Sequence, residues 1–547
     1  RNSMQFSRTR GSLGGLALDE VAGRIRELSA EPTLLEVDGT VRGPLADLLK
    51  VVRSTPLADA TGRVLDSTTA TGSGELKLGL LVPLGRMADV QVRAGLQLPG
   101  NDLKLRPDLP LLANARGRIE ATHKGVQLNA LRAQLLGGEV VIEGGNQPDG
   151  GLRFTVSGSA SAEALRRATE LGPGVPRLAQ RLQGQATYRL QAGIQNGHAE
   201  WQLASNLQGL AIDLPAPLAK PAEQVMALRL SSAAEARPPG TAAPAAAATG
   251  RDWLRLELGP LKGSLLLDHS AAGGGRPVRS AWAWDAPLPE PVVGGRAVLA
   301  PARLDVDAWR RMFAAGFTPA GASDDSAWLP QSWQITTPEL LLSGRRVSGL
   351  SLELQRQAPS PDAGDAWRGQ FKADQAAGTL DYRESRTPGA PGRLRAQLAR
   401  LSLPDEAAGS ASDPVSQLVD RAGLVLPAVD IEVADFELRG RKLGSLALQA
   451  ANRPSPTDPA GRSEWQVTRL HLKNDDATLS ADGRWEAVPG TTPGGTARRR
   501  MVLAFELDVA NGGALLERLG FGKVLRGANG KLAGTLGWDG SPLAFDL

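Results

Sequence analysis

Apolar and polar residues alternate one for one along most of this chain, in short runs set apart by Gly, Pro, Asn and Asp, and few folds tolerate that pattern. A period of two sends successive side chains to opposite faces of a strand, so each run has one greasy and one wet face. Leu350, Leu352 and Leu354 alternate with Ser351, Glu353 and Gln355; Phe505, Leu507 and Val509 alternate with Glu506 and Asp508; Phe154 and Val156 alternate with Arg153, Thr155 and Ser157. Between Val429 and Leu438 the apolar parity switches, which a strand accommodates with one extra residue, so a bulge is predicted near Ala434-Asp435. Continuous apolar runs and long helical patterns between strands are rare, which disfavours a doubly wound fold. The expected fold is mainly β: an elongated, curled antiparallel sheet, groove-like, built of repeating strand units with a few short helices. Roughly 30 strands at ~4.8 Å spacing would carry an open sheet to the order of 140 Å, and a sheet that long twists and curls.

Helix start signals precede several short segments: Ser161 before 162–171, Asp305 before 306–313, Asp413 before 414–422, and Asn511 before 512–519. Residues 44–52 read as another helix, and Leu18, Val21, Ile25 and Leu28 have helical spacing. Stretches rich in Pro, Gly, Ala and Ser, such as 237–250, 358–365, 384–392, 452–461 and 489–496, read as exposed insertions between strands. None separates blocks of different character. Residues 1–547 are therefore expected to form one continuous body, with sub-blocks at 1–235, 251–400 and 424–547.

Gly 64 and Pro 38 together make up about 19% of the 547 residues, short of the ~25–30% of low-complexity chains. Basic and acidic residues number 62 and 58 and are interspersed, which argues against nucleic acid as a partner. Of the 62 basic residues 51 are Arg, a bias that accompanies abundant Ala and Gly and needs no phosphate ligand. With Cys 0 there is no disulfide framework, thiolate nucleophile or cysteine metal site. The longest span candidate, 78–84, is far shorter than the ~20 apolar residues a bilayer crossing takes. Arg1 opens no signal peptide, and both ends read as cut from something longer.

Chemistry is hard to place. His123, His198, His269 and His471 each stand alone, so no metal site and no cofactor are expected. The glycine-rich segments 520–523 and 527–531 lack the spacing of a phosphate cradle and read as turns, and no Gly-x-Ser-x-Gly elbow is present. The acidic pairs Asp324-Asp325, Asp405-Glu406 and Asp475-Asp476 fall in loop-like stretches, as solvated turn residues do. No catalytic residues are expected, and the chain is read as a non-enzyme. Tryptophan is over-represented: Trp 11 against Phe 9 and Tyr 2. Trp253, Trp282, Trp284, Trp333, Trp465, Trp485 and Trp538 lie at the ends of alternating runs, where packing within a sheet and a place at the rim of an apolar groove are both open to them.

Motif order adds a resemblance. A strand with Gly43-Pro44 and a following helix, then Ser54-Thr55-Pro56-Leu57; Leu135-Leu136-Gly137-Gly138; Leu214-Pro215-Ala216-Pro217-Leu218-Ala219-Lys220; Leu329-Pro330-Gln331-Ser332-Trp333; and Leu515-Leu516-Glu517-Arg518-Leu519-Gly520 followed by Gly537-Trp538-Asp539-Gly540-Ser541-Pro542 occur in that order. Together they resemble the YhdP branch of the AsmA-like superfamily, large envelope proteins of Gram-negative bacteria. The resemblance implies a periplasmic β-groove, held in the inner membrane by a helix outside this sequence, with possible outer-membrane contact. It also implies a non-enzymatic role in carrying phospholipid between the membranes and sustaining the outer-membrane permeability barrier. The alternative is a periplasmic scaffold that assists outer-membrane protein assembly through its strand edges. For a conduit, the residues expected to line the groove are Leu350, Leu352, Leu354, Val429, Ile431, Val433, Phe505, Leu507 and Val509. The other placement open to them is packing against helices or a second sheet.

Overall fold

A computed structural model describes residues 3–28, 30–53, 64–84, 90–122, 125–148, 151–172, 174–195, 198–235, 250–270, 275–314, 328–342, 345–358, 364–385, 392–403, 427–454, 463–487 and 499–540. The expected segment at 413–422 lies outside them, as do His123, the acidic pairs at 324–325 and 405–406, and the motif at 54–57. The chain divides into two compact units, one holding residues 1–280 and the other residues 281–315 and 329–547.

Each unit carries an open, strand-rich sheet, as the alternation predicts. In the first, Met4–Leu13, Leu16–Ile25, Leu34–Pro44, Ser73–Pro83, Gln91–Lys104 and Leu112–Thr122 pair each with the next, all antiparallel. The same pattern continues through Gly125–Leu135, Gly138–Asn146, Leu152–Ser161, Leu182–Gln195, His198–Ser205, Leu228–Ala234, Arg251–Leu258 and Leu261–Asp268. Chain order is spatial order for these strands, and several join through short turns; Gly14 and Gly15, with φ of 56° and 86°, make the first of them.

The second unit is mixed. Residues 281–284, Arg296–Leu299 and Ser332–Leu342 pair in parallel, and Arg393–Leu403 runs parallel to Ala428–Leu438. The remaining neighbours, from Arg345–Gln357 through Ala366–Lys372 and Ala376–Arg383, and from Arg441–Pro454 through Ser463–Lys473, Ala477–Ala487 and Arg499–Val509 to Gly530–Asp539, are antiparallel. Parallel neighbours need a connection that crosses a sheet face. One such connection carries the helix Val306–Ala314.

The predicted bulge is present. Val433 lies opposite Leu446 and Phe436 opposite Gly444, so Ala434 and Asp435 share one partner position and the apolar parity is restored beyond them. A second bulge corrects the expectation for Leu18, Val21 and Ile25. These residues belong to the strand Leu16–Ile25, not to a helix. Asp19 pairs with Thr40 and Ala22 with Asp38, so Glu20 and Val21 stand against Gly39 alone, with Glu20 at φ 54°. The extra residue turns a two-residue spacing into three, which on paper mimics a helical turn.

Helices form where capping residues mark them. Ser161 Oγ accepts the Ala164 N–H at 3.2 Å, but the helix ends at Arg167 and a 3₁₀ turn follows at Thr169–Leu171, breaking the longer helix expected there. Asp305 Oδ1 caps Val306–Ala314 through Ala308 N–H at 2.8 Å, and Asn511 Oδ1 caps Gly512–Arg518 through Ala514 N–H at 3.1 Å. Arg518 then clamps that last helix to the sheet, with its guanidinium 2.7 Å from Asp476, itself one of the expected turn acids. The helix Leu45–Arg53 begins one residue later than expected and presses Leu45 and Leu48 onto Leu76 and Val41.

Packing is concentrated in local clusters rather than one core. Near the end of the chain, Trp465 and Trp485 stand opposite each other, and Trp485 opposite Met501. Trp485 is fully buried, and its indole donates to Gly540 O at 2.7 Å. Trp465 donates to Pro427 O at 3.2 Å, so these two indoles pack within the sheet, whereas Trp333, which donates to Pro330 O at 2.8 Å, stays half-buried. Trp485→Ala is expected to cost about 3–5 kcal/mol in denaturant unfolding. Leu532→Ala, on a strand whose side chains are almost all exposed, should stay within about 0.5 kcal/mol.

Candidate functional site

Residues directly opposite each other across a ladder point to the same side, so strand register determines what each face of a sheet is made of. In the second unit, one row of partners runs Trp282, Ala297, Trp333, Leu354, Gly369, Leu380, Ala396, Ile431, Leu448, Leu470, Ala481, Phe505, Gly534. The row beside it runs Trp284, Leu299, Ile335, Leu352, Phe371, Gly378, Leu398, Val433, Leu446, Leu472, Leu479, Leu507, Leu532. Neither contains a charged side chain. A third, Leu394, Val429, Ala450, Val467, Gly483, Leu503, Leu536, runs alongside over the later strands.

The opposite face has the reverse composition. Gln334, Glu353, Gln370, Thr379, Gln397 and Glu432 form one row; Gln355, Arg368, Asp381, Arg395, Asp430, Gln449 and Arg469 form the next. Opposite charges face each other along it, with Arg368 3.1 Å and Arg395 3.6 Å from their carboxylates on Asp381 and Asp430. This face also carries a depression of about 990 Å³. His471 lies on it too, exposed, with Nδ1 3.1 Å from Ser480 Oγ.

The first unit repeats the design. Leu18, Val41, Leu76, Leu96, Ile119, Leu128, Gly144, Phe154, Ala192, Trp201, Ser232, Leu254 and Leu265 form one row. Ile142, Val156, Leu190, Leu203, Leu230 and Leu256 follow beside it. Ser232 interrupts the first row, and its hydroxyl donates to Asp252 Oδ2 at 2.6 Å while His269 Nε2 meets Oδ1. The carboxylate sits between Ser and His, so the imidazole does not touch the hydroxyl it would have to activate. Among the described residues no group of three or more His, Cys, Asp or Glu is arranged to hold a metal ion.

The nine residues expected to line a groove are placed as follows. Leu352, Leu354, Val429, Ile431, Phe505, Leu507 and Val509 are half-buried, whereas Leu350 and Val433 are 6% and 2% exposed. Leu350 packs with Leu340 and Ala373 in a small cluster that Val306 joins from the start of a helix. Ladder pairing brings Leu352, Val433 and Leu507 into one row and Leu354, Ile431 and Phe505 into another; Val429 belongs to the third, opposite Leu394, and Val509 lies opposite Ala477 at the strand end. Leu380, Leu398, Leu446, Leu448, Leu470, Leu472 and Leu479 complete the rows without having been singled out. Their own strands alternate as well, and that alternation was the signal available.

Helices cover parts of the apolar face. Leu45 and Leu48 close it over the strands Leu34–Pro44 and Ser73–Pro83, and Trp309 stands edge-on to Trp284 with centroids 5.8 Å apart. Tyr188 lies on the apolar side of the first unit, opposite Gly158, with its hydroxyl buried and unpaired. Burial pushes that phenol up to about 12. Lys220, the last residue of the Leu-Pro motif, is buried and donates to Leu210 O at 2.6 Å and Pro221 O at 3.0 Å; desolvation lowers its pKa. That lysine ties a loop to the sheet and leaves no ammonium free for a headgroup.

The fold and its two-sided composition define an open-sheet protein with one apolar and one charged face. The sequence matches the YhdP protein family over residues 1–547, and the chain belongs to that family. Its members are AsmA-like envelope proteins with a lipid-transport role and no enzymatic one. No curated protein and no solved structure matches the chain. Among the described residues no helix is long and apolar enough to cross a membrane.

Tyr188→Phe is expected to leave stability unchanged or raise it by about 1 kcal/mol, because an unpaired buried hydroxyl costs more than it returns. In the parent protein the raised pKa of Tyr188 contributes stability below the unfolded value of about 10 that is lost as pH rises through about 12. Denaturant unfolding of the parent and of Tyr188→Phe, repeated between about pH 9 and 12, checks the stability statements, and ultraviolet titration of tyrosinate absorbance checks the raised pKa.

Proposed function

We propose that this chain is part of a phospholipid conduit that spans the periplasm from an inner-membrane anchor toward the outer membrane. The supporting observation is the unbroken run of apolar partners across every strand pairing from 281–284 to Gly530–Asp539, with most of its members half-exposed. Each acyl methylene moved from water onto such a face gains up to about 0.8 kcal/mol, while a polar headgroup stays in solvent beyond the strand ends. The contact is non-directional, so neighbouring positions bind a tail about equally well. A lipid can therefore shift from strand to strand without a deep well to leave. The face offers no fixed donor pattern that would select a single headgroup, and phospholipid is the bulk diacyl lipid of an envelope.

In this reading Leu352, Leu354, Ile431, Phe505 and Leu507 touch acyl chains directly, and Leu350 and Val433 support them from below. Protein purified from envelopes and extracted with organic solvent should yield phospholipid by mass spectrometry. Leu352→Asp and Ile431→Asp should each lower the recovered lipid several-fold and weaken the outer-membrane barrier, with circular dichroism unchanged. Folded variants that keep full lipid and full barrier function would reject the conduit and favour the scaffold.

A further inference from the structure

Two indoles on the apolar face of the second unit are buried without a hydrogen-bond partner. Trp282 and Trp284 stand two residues apart on one strand, and their ladder neighbours Ala297 and Leu299, then Trp333 and Ile335, continue the two apolar rows. Their Cα atoms are therefore about 7 Å apart on one side of the sheet. Trp284 is 7% exposed and Trp282 half-buried, yet each Nε1 is closed off from solvent and has no acceptor among the described residues. Other indoles differ. Trp333, Trp465 and Trp485 each donate to a backbone carbonyl.

A buried donor without an acceptor is rare in proteins, because it forfeits its bond to water and gains nothing in return. The sheet itself supplies no remedy here. Ala297 and Leu299 have no acceptor on their side chains, and a buried water takes about three polar partners, which lone N–H groups on separate rows do not provide. Over Trp284 lies the helix Val306–Ala314, whose Trp309 ring meets it edge-on with centroids 5.8 Å apart. Contacts of that kind are weak, and a side-chain rotation opens them to an incoming chain.

We infer that Trp282 and Trp284 form a binding site for the ester carbonyls of a diacyl glycerolipid. The inference rests on the conduit reading and adds which part of the lipid is recognised. An ester carbonyl is a neutral acceptor joined to an apolar tail, so it enters such a surface without the cost of burying a charge. A phosphate oxygen would need a counter-charge, and the two rows around these indoles contain no cation. A diacyl glycerolipid carries its two carbonyls on adjacent glycerol positions, which matches two donors on adjacent rows. Indoles gather at the border of tail and headgroup in membranes for the same reason, an apolar body with one polar tip. The headgroup stays outside the contact, so the site marks one resting position on an otherwise even face.

Competition between ester and ether lipids tests this. The chain is equilibrated with vesicles holding equal amounts of dioleoyl phosphatidylcholine and its di-O-oleyl ether counterpart, which has the same headgroup and tails but no carbonyls, at less than one lipid recovered per protein. Mass spectrometry of the re-purified protein should show the ester lipid enriched about threefold or more over the ether lipid. In Trp282→Phe/Trp284→Phe, which keeps two aromatic rings and removes both N–H groups, the ratio should fall to that of the vesicles while ether lipid binds as before. Uptake in the vesicle ratio by the parent chain, or enrichment that survives in the double variant, overturns the inference and leaves the conduit standing. Recovery of neither lipid overturns both. The parent's ratio is read without any substitution, so a variant that fails to fold does not shield the inference.

Discussion

Everything in this molecule depends on parity being conserved across a ladder. Hydrogen-bonded strands fix which residue stands opposite which, and a slip of one residue would send a whole strand's leucines to the wet side. From Trp284 to Leu532 the register passes an apolar residue from strand to strand without such a slip. Where the sequence itself changes parity, at Ala434-Asp435, a bulge absorbs the extra residue and returns Phe436 to a buried position. The bulge at Glu20-Val21 does the same near the start of the chain. Bulges here are the means by which an uneven sequence keeps an even face.

A sheet greasy on one side is unstable in water unless something covers that side, and among the described residues it is covered in places by helices. The helix Leu45–Arg53, the turn of helix after Ser161 and the helix Val306–Ala314 each seal a few strands through residues such as Leu48, Ala162 and Val306. Elsewhere stability comes from lateral contact between neighbouring strands, as in the Trp465, Trp485 and Met501 cluster. Surface ion pairs on the opposite face contribute little each. Their value is in keeping that face wetted, so that the two sides of the sheet cannot exchange roles.

The strands, the bulge and most helix starts were legible because they are local: alternation, capping side chains and glycine turns act within a few residues. The parallel pairings of 281–284, Arg296–Leu299 and Ser332–Leu342 were not, because they depend on crossovers whose path no local pattern records. Helical spacing at Leu18, Val21 and Ile25 misled for a related reason, since a bulge is a property of two strands and the spacing belongs to one. For the candidate surface, the sequence supplied nine residues on three strands. That Leu352, Val433 and Leu507 belong to one row, while Leu350 is sealed beneath its neighbours, follows only from register and packing.

A photo-crosslinking scan in intact cells tests the central claim most directly, with a benzophenone side chain placed in turn at Leu354, Leu380, Leu448 and Leu470 and at their sequence neighbours Gln355, Asp381, Gln449 and Arg469. The account predicts phospholipid adducts at the four apolar-row positions and none at the four neighbours. Adducts that ignore the one-residue alternation, or an apolar row that crosslinks only to protein, would contradict it.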